Sequence, residues 1–211
     1  MAYPLRFCIW QRVGSASPSA LLWASFLLLR WLCFLVMPHK LKRITGRHDL
    51  HYITFTCYQR RKFLASDRNK NVTARILGEV RARFQFALVG YVFMPDHVHL
   101  LISEPAGATP AKVMQVFKQR VSRELRAKKR VPRLQLQFKF PGGKPLPRRF
   151  WQRRYFDHNV YSRNQLRQKL DYMHANPMKA NLVKNPNDWP WSSWAAYLGK
   201  PALLAIDFAE C

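Results

Sequence analysis

Two apolar runs separated by a Pro-Asp dipeptide constrain the fold of this chain more than any other feature. Residues 86–94 (FALVGYVFM) and 97–104 (HVHLLISE) each have the length of a buried strand. Pro95-Asp96 is a turn signal and leaves room only for a tight connection. Since an isolated hairpin is barely stable in water, other elements must cover its apolar faces. The two runs therefore predict an antiparallel hairpin inside a larger sheet.

The segments around this hairpin predict the remaining elements. Apolar spacing and β-branched or aromatic content predict strands over 50–57 and 150–161, and helices over 69–84, 110–129 and 164–176, the last stopped by Pro177. The order is strand, helix, strand, strand, helix, strand, helix. It predicts an α+β fold: a split βαβ, ferredoxin-like or RRM-like antiparallel sheet with helices on one face and a further C-terminal helix. Many functions share this order, so it decides none of them.

The charge balance points to a polyanionic partner. The 211 residues include 36 Lys and Arg against 11 Asp and Glu, a formal net charge of +25. Nucleic acid and an anionic membrane are the two candidates. So few carboxylates disfavour a site built from several Asp and Glu, such as that of a two-metal nuclease. The four cysteines form no CxxC pair, which predicts neither a zinc knuckle nor a disulfide framework and favours the cytoplasm.

Residues 1–36 differ from the remainder. An apolar stretch over Ala20–Met37 contains Arg30 and is only just long enough for a membrane span. We weigh a misassigned start with Met37 as the true first residue, a membrane anchor and a signal peptide, and favour the first because a globular pattern begins after Met37. We predict a hydrophobic extension over 1–36, one domain over 37–200 and a tail over 201–211; contact with a membrane is expected only if residues 20–37 are an anchor.

His97-Val98-His99 is the first candidate for chemistry. Residues i and i+2 of a strand point to the same face, so both imidazoles project together. Two neutral imidazoles form half of a metal site that other donors must complete. The alternative is two strand histidines that bond to the backbone or to neighbouring side chains.

Tyr172 and Asn176 form the second candidate. They are i and i+4 in the last predicted helix and therefore lie on one helical face. A tyrosine hydroxyl can act as a nucleophile that forms a covalent intermediate, and a divalent ion beside it would help by polarising the attacked phosphate. The Asn176 carbonyl oxygen suits a hard cation. The alternative is a tyrosine packed on the sheet and an asparagine that caps the helix.

The two candidates together resemble a known family. MPDHVHLLI at 94–102 and YMHANPMKANLV at 172–183 resemble the single-tyrosine HUH transposases, in particular the REP-associated tyrosine transposases. The likeness extends from about Met37 through FWQRRYFDHNVY to DWPWSSWAAY. It implies a 37–200 catalytic domain in which His97 and His99 bind Mg²⁺ or Mn²⁺, with Asn176 helping to hold the ion. It also implies that Tyr172 attacks a DNA phosphate and leaves a 5′-phosphotyrosine link and a free 3′-hydroxyl.

Much of the basic excess lies between the two motifs. Interleaved aromatic and basic residues there are typical of contact with phosphates and unpaired bases, although a solvated surface is the alternative for the helical part. The predicted DNA-binding residues are Lys118, Arg120, Arg123, Arg126, Arg148, Arg149, Arg153 and Arg154.

These observations predict a cytoplasmic, nucleoid-associated transposase. We expect it to cleave and rejoin single-stranded or hairpin-forming DNA through a metal-assisted 5′-phosphotyrosine intermediate, as a monomer or a homodimer. The main alternative is a non-catalytic, RRM-like nucleic-acid-binding protein. A membrane-tethered basic protein and a replication initiator of the same chemical class are the others.

Overall fold

The predicted strands form one antiparallel sheet in the computed structural model, which describes residues 44–127 and 149–208. The strands are β1 (Leu50–Thr56), β2 (Leu88–Phe93), β3 (His97–Ser103) and β4 (Phe156–Val160), in the order β2-β3-β1-β4. β3 therefore lies between β1 and β2, as a split βαβ requires. The predicted hairpin is the β2-β3 pair, with Phe93 opposite Val98.

Three longer helices accompany the sheet: α1 (Asp67–Phe84), α2 (Pro110–Ala127) and α3 (Arg163–His174). Two short helices follow, α4 (Asn176–Lys179) and α5 (Trp194–Tyr197), and single 3₁₀ turns occur at Tyr58–Arg60 and Pro186–Asp188. Hydroxyl side chains begin the longer helices. Ser66, Thr109 and Ser162 each accept a hydrogen bond from the backbone N–H three residues later.

The helices divide between the two faces of the sheet. Alternate strand residues such as Phe55 and Leu100 pack against α1 and α2, while Tyr52 and Leu101 pack against Leu170 of α3 and its neighbours. The α+β prediction is confirmed. The structure adds that the C-terminal helix lies on the face opposite α1 and α2.

Two predicted element boundaries are wrong. The strand predicted over 150–161 is regular only from Phe156, and before it Trp151 makes a single bridge to Cys57. Pro177 does not stop a helix, because α3 already ends at His174 and Pro177 lies in the first turn of α4. Proline is tolerated there because the backbone N–H of a first-turn residue has no acceptor within the helix. The missing N–H of proline therefore costs no helical hydrogen bond.

Several predictions fall outside the described residues: the 1–36 extension, the apolar stretch 20–37, and the last two residues of the helix predicted over 110–129. Within the ranges that the structure describes, no helix is long and apolar enough to cross a membrane. Residues of the predicted 201–211 tail contact the domain, since Asp207 pairs with Arg81 and accepts the Leu88 N–H.

A buried polar cluster joins β1 to β4 and to the end of β3. His51 is fully buried, and its two ring nitrogens lie 2.9 Å from Asp157 Oδ1 and 3.4 Å from Glu104 Oε1. Only a protonated imidazole can donate to both carboxylates. Burial by itself lowers the pKa of His51, but the hydrogen bonds and charges of Asp157 and Glu104 outweigh it and raise the pKa above 6.5.

The raised pKa gives a pH-dependent stability. The favourable contribution of His51 is complete below pH 6.5 and is lost as the pH rises through its folded-state pKa. We expect His51→Gln to lower the free energy of unfolding by about 3 kcal/mol at pH 6 and by clearly less at pH 9. Urea denaturation at both pH values measures this. An equal loss at the two values would contradict the assignment.

Gly90 lets α3 approach the sheet closely. A Cβ on Gly90 would lie 2.9 Å from Leu170 Cδ2 and 3.3 Å from Met173 Sδ. We expect Gly90→Ala to destabilise the protein by about 1 kcal/mol, because the buried Leu170 and Met173 side chains must shift to make room. Gly78→Ala in α1 is the control, since its new Cβ would lie 3.5 Å from Leu204 Cδ2, an ordinary contact. Equal unfolding midpoints for the two variants would contradict the packing argument.

Candidate active site

The two histidines of β3 project from the face of the sheet that carries α3. Val98, between them, is fully buried in the core beneath α1 and α2. The His97 and His99 rings meet edge to face, with centroids 4.8 Å apart. The strand period therefore brings both imidazoles together, as the sequence predicts.

His99 is fixed through one ring nitrogen and leaves the other unpaired. Its Nδ1 lies 2.8 Å from the Tyr52 hydroxyl and 2.9 Å from Thr54 Oγ1. Its Nε2 is buried without a hydrogen-bond partner among the described residues. Burial, and then the charge of His97, hold the pKa of His99 well below its ordinary value, so the ring stays neutral. A neutral imidazole is suited to bind a cation when one ring nitrogen is held by hydrogen bonds and the other has no partner.

His97 is oriented by a carboxylate from the hairpin turn. Its Nδ1 donates to Asp96 Oδ1 at 2.6 Å, and Asp96 Oδ2 lies 3.1 Å from the Arg60 guanidinium. Burial by itself raises the pKa of Asp96, but the hydrogen bond and charge of His97, with Arg60, hold it below its ordinary value. The ionised carboxylate leaves the His97 Nε2 as the nitrogen available to a ligand.

Tyr172 is half-exposed beside this pair. Its ring centroid lies 6.0 Å from that of His99, and 50% of the residue is accessible to solvent. The Lys179 ammonium of α4 lies 4.8 Å from the centroid of the same ring. In the described part of the chain the Tyr172 hydroxyl accepts and donates no hydrogen bond. The side chain is therefore accessible to a substrate rather than packed on the sheet.

Asn176 adjoins Tyr172 through the backbone. Its amide nitrogen donates to the Tyr172 carbonyl at 2.8 Å and to the Met173 carbonyl at 3.4 Å. Asn176 thus caps the end of α3, as the structural alternative predicted, and its amide oxygen stays available to a cation. No group of three His, Cys, Asp or Glu suited to a metal occurs among residues 44–127 and 149–208. A bound ion would therefore need an amide or the substrate beside the two imidazoles.

Residues 46–176 match the family described as "Transposase IS200 like", which is more than half of the chain. The chain belongs to the IS200-like transposase family. A Haemophilus influenzae protein assigned by name to the REP-associated tyrosine transposases is 29% identical over 136 residues, 61% of this chain and 74% of that protein. The REP-associated tyrosine transposase of Escherichia coli K12 is 26% identical over 158 residues, 75% of this chain and 83% of that protein. These findings confirm the resemblance carried by the sequence motifs.

A solved structure shares the fold of this IS200-like transposase. It is that of a REP-associated tyrosine transposase bound to a REP hairpin, with a TM-score of 0.58 and 19% sequence identity. The likeness covers 82% of this chain and 94% of that chain.

Two of the predicted DNA-binding residues of this transposase are engaged within the protein. The Lys118 ammonium donates to the Gln152 carbonyl at 2.8 Å, and Arg120 pairs with Glu79. Arg148 lies outside the described residues. The others are exposed and form no ion pair within the described ranges: Arg123, Arg126, Arg149, Arg153 and Arg154.

Sequence reasoning missed four groups that surround the candidate active site. Tyr52 and Thr54 hold His99, Asp96 holds His97, and Lys179 lies over Tyr172. Tyr52 and Thr54 are i and i+2 on a predicted strand, so the sequence indicates that they share a face of the sheet. The sequence does not indicate that β1 pairs with β3, and this pairing is what brings them to His99. Asp96 adjoins His97 in sequence, a signal that could have been used.

Proposed function

We propose that this protein cleaves and rejoins single-stranded or hairpin-forming DNA, with Tyr172 as the nucleophile. One observation carries the proposal: a half-exposed tyrosine lies beside a buried histidine whose Nε2 has no partner among the described residues. A nucleophile and an unsatisfied ligand nitrogen together suit phosphoryl transfer. Membership of a transposase family supports the same reaction class.

The reaction is a transesterification without water. The Tyr172 oxygen attacks the phosphorus, and the bond from phosphorus to the 3′-oxygen breaks. The tyrosine hydroxyl loses one proton and the leaving 3′-oxygen gains one, so the step balances. The products are a 5′-phosphotyrosine and a free 3′-hydroxyl. Because the ester retains the energy of the cleaved bond, the reverse attack by a 3′-hydroxyl can rejoin DNA without a nucleotide cofactor.

His97 and His99 would hold Mg²⁺ or Mn²⁺, with the Asn176 amide oxygen as a further ligand. When bound, such an ion neutralises charge on the attacked phosphate. The donor set fits, since His99 is neutral and each Nδ1 is already engaged. Lys179, over the Tyr172 ring, supplies a further positive charge beside the nucleophile.

DNA is the substrate that the charge favours. The exposed arginines at the end of α2 and directly before β4 suit phosphate contacts, and a structural relative has been solved with a REP hairpin. The RRM-like alternative has less support, because α3 covers the sheet face on which such proteins stack bases.

Tyr172→Phe tests the nucleophile. We expect this variant to bind labelled single-stranded DNA as the wild type does but to form no covalent adduct, because only the attacking oxygen is lost. Denaturing gel electrophoresis measures the adduct. Tyr161→Phe is the matched control, since Tyr161 is 71% exposed and makes no contact with His97 or His99. An adduct that survives in Tyr172→Phe would refute the assignment.

His99→Ala tests the metal. We expect it to lower the rate of Mg²⁺-dependent cleavage by at least about 100-fold, because a ligand nitrogen is removed.

Tyr52→Phe with Thr54→Val should weaken Mn²⁺ binding by about 10-fold or more, since both hydroxyls orient His99. Calorimetric titration with Mn²⁺ measures affinity, with exposed His48→Asn as control. Undiminished cleavage in EDTA would exclude a metal role.

A further inference from the structure

A groove of about 570 Å³ lies between α2 and the segment 149–155, on the sheet face opposite Tyr172. It is within the size range of small-ligand sites. Three kinds of side chain make up most of its lining. Arginines are Arg126, Arg149 and Arg153, amides are Gln115, Gln119 and Gln152, and aromatics are Phe150, Trp151 and Tyr155.

The three arginines are available to a ligand. Each is exposed, and among the described residues none pairs with a carboxylate. Three arginines outside the groove, by contrast, are engaged within the protein: Arg75 and Arg120 pair with Glu79, and Arg81 pairs with Asp207. No Asp or Glu lines the groove. Its positive charge therefore favours a phosphate-bearing ligand.

The walls and floor suit a planar base. Gln115, Gln119 and Gln152 are exposed, and each amide presents a donor and an acceptor, the pair that recognises the edge of a nucleobase. The buried Trp151 and Phe150 rings meet at the floor, with centroids 4.8 Å apart. These two rings form a rigid apolar floor, and the partly exposed Tyr155 in the same lining supplies an aromatic ring on which an unpaired base can stack.

The floor is held in place by hydrogen bonds. Trp151 Nε1 donates to the Lys118 carbonyl at 3.0 Å, and the Lys118 ammonium donates to the Gln152 carbonyl at 2.8 Å. Each of the two segments, α2 and 149–155, thus donates one hydrogen bond to the other. A preformed groove loses little conformational entropy when it binds a ligand.

The groove lies at the same end of the sheet as His97. The Gln152 N–H donates to the Thr56 carbonyl at 2.9 Å, and Thr56 pairs with His97. Two strand spacings separate these segments, so the groove wall is roughly 10 Å from the His97 backbone. A DNA strand that passes around this end of the sheet can reach both sites.

We infer that this groove binds one unpaired nucleotide of the DNA whose cleavage is proposed above, with its base between the glutamine amides and its phosphates on the arginines. The inference rests on the proposed function for the identity of the nucleic acid. It adds a second, non-catalytic contact that selects DNA with an unpaired residue beside the cleaved phosphate.

Binding of two DNAs to the full chain tests this. One is a palindromic hairpin from the genomic neighbourhood of the gene with single-stranded flanks, and the other is the same hairpin with blunt ends. The flanks carry 2-aminopurine at successive positions. All binding measurements use Tyr172→Phe protein, so that binding is read without cleavage, and adduct formation is assayed separately on the wild type. We compare Gln115→Ala/Gln119→Ala with Gln168→Ala, an exposed glutamine of α3, by fluorescence anisotropy.

We expect the double variant to bind the flanked hairpin about tenfold more weakly and the blunt hairpin unchanged, while Gln168→Ala changes neither. One 2-aminopurine position should be quenched by stacking, and Arg149→Gln/Arg153→Gln should reduce that quenching. Equal losses on both DNAs, no loss, or no quenched position would overturn the inference. Failure of wild-type protein to form an adduct would instead refute the proposed cleavage and leave flank-dependent binding as a separate result.

Discussion

The two-residue repeat of β3 determines where the groups of the candidate active site lie. Val98 and Leu100 are fully buried beneath α1 and α2, and so His97 and His99 must face α3. A shift of β3 by one residue against β1 would turn both imidazoles into that core. Burial of each apolar side chain contributes about 1.5–3 kcal/mol, which opposes the shift. The same pairing places Tyr52 and Thr54 beside His99, since Thr54 lies opposite His99 in the ladder.

Scarce carboxylates shape the electrostatics of the whole domain. Asp96 orients His97, Asp157 and Glu104 hold His51, and Glu79 pairs with arginines of α1 and α2. Acidic groups are thus committed to internal contacts, and the surface before β4 keeps unpaired arginines among the described residues. The active-site face instead holds neutral His99, whose pKa burial lowers, and an exposed tyrosine. One domain can therefore combine a neutral ligand site with a strongly basic exterior.

Most of the fold could be predicted because apolar periodicity is local. The β2-β3 hairpin and the three long helices follow from patterns within single segments, and the structure confirms them. The two wrong element boundaries arise where contacts with neighbouring segments, rather than local periodicity, determine the backbone conformation. Residues 150–155 are as aromatic as a strand, but Trp151 makes only an isolated bridge to Cys57. Pro177 indicates the end of a helix by sequence. In the structure the Asn176 side chain caps α3, and Pro177 lies in the first turn of α4.

The sequence by itself determined that two imidazoles share a strand face and that a tyrosine and an asparagine adjoin at the end of a helix. These relations span two to four residues and depend only on backbone geometry. Tertiary structure decided that Tyr172 lies beside His99, that Lys118 bonds Gln152 within the domain, and that arginines border a groove on the opposite face. Those contacts join residues far apart in the chain, and no local period encodes them, because they depend on how strands pair and helices pack.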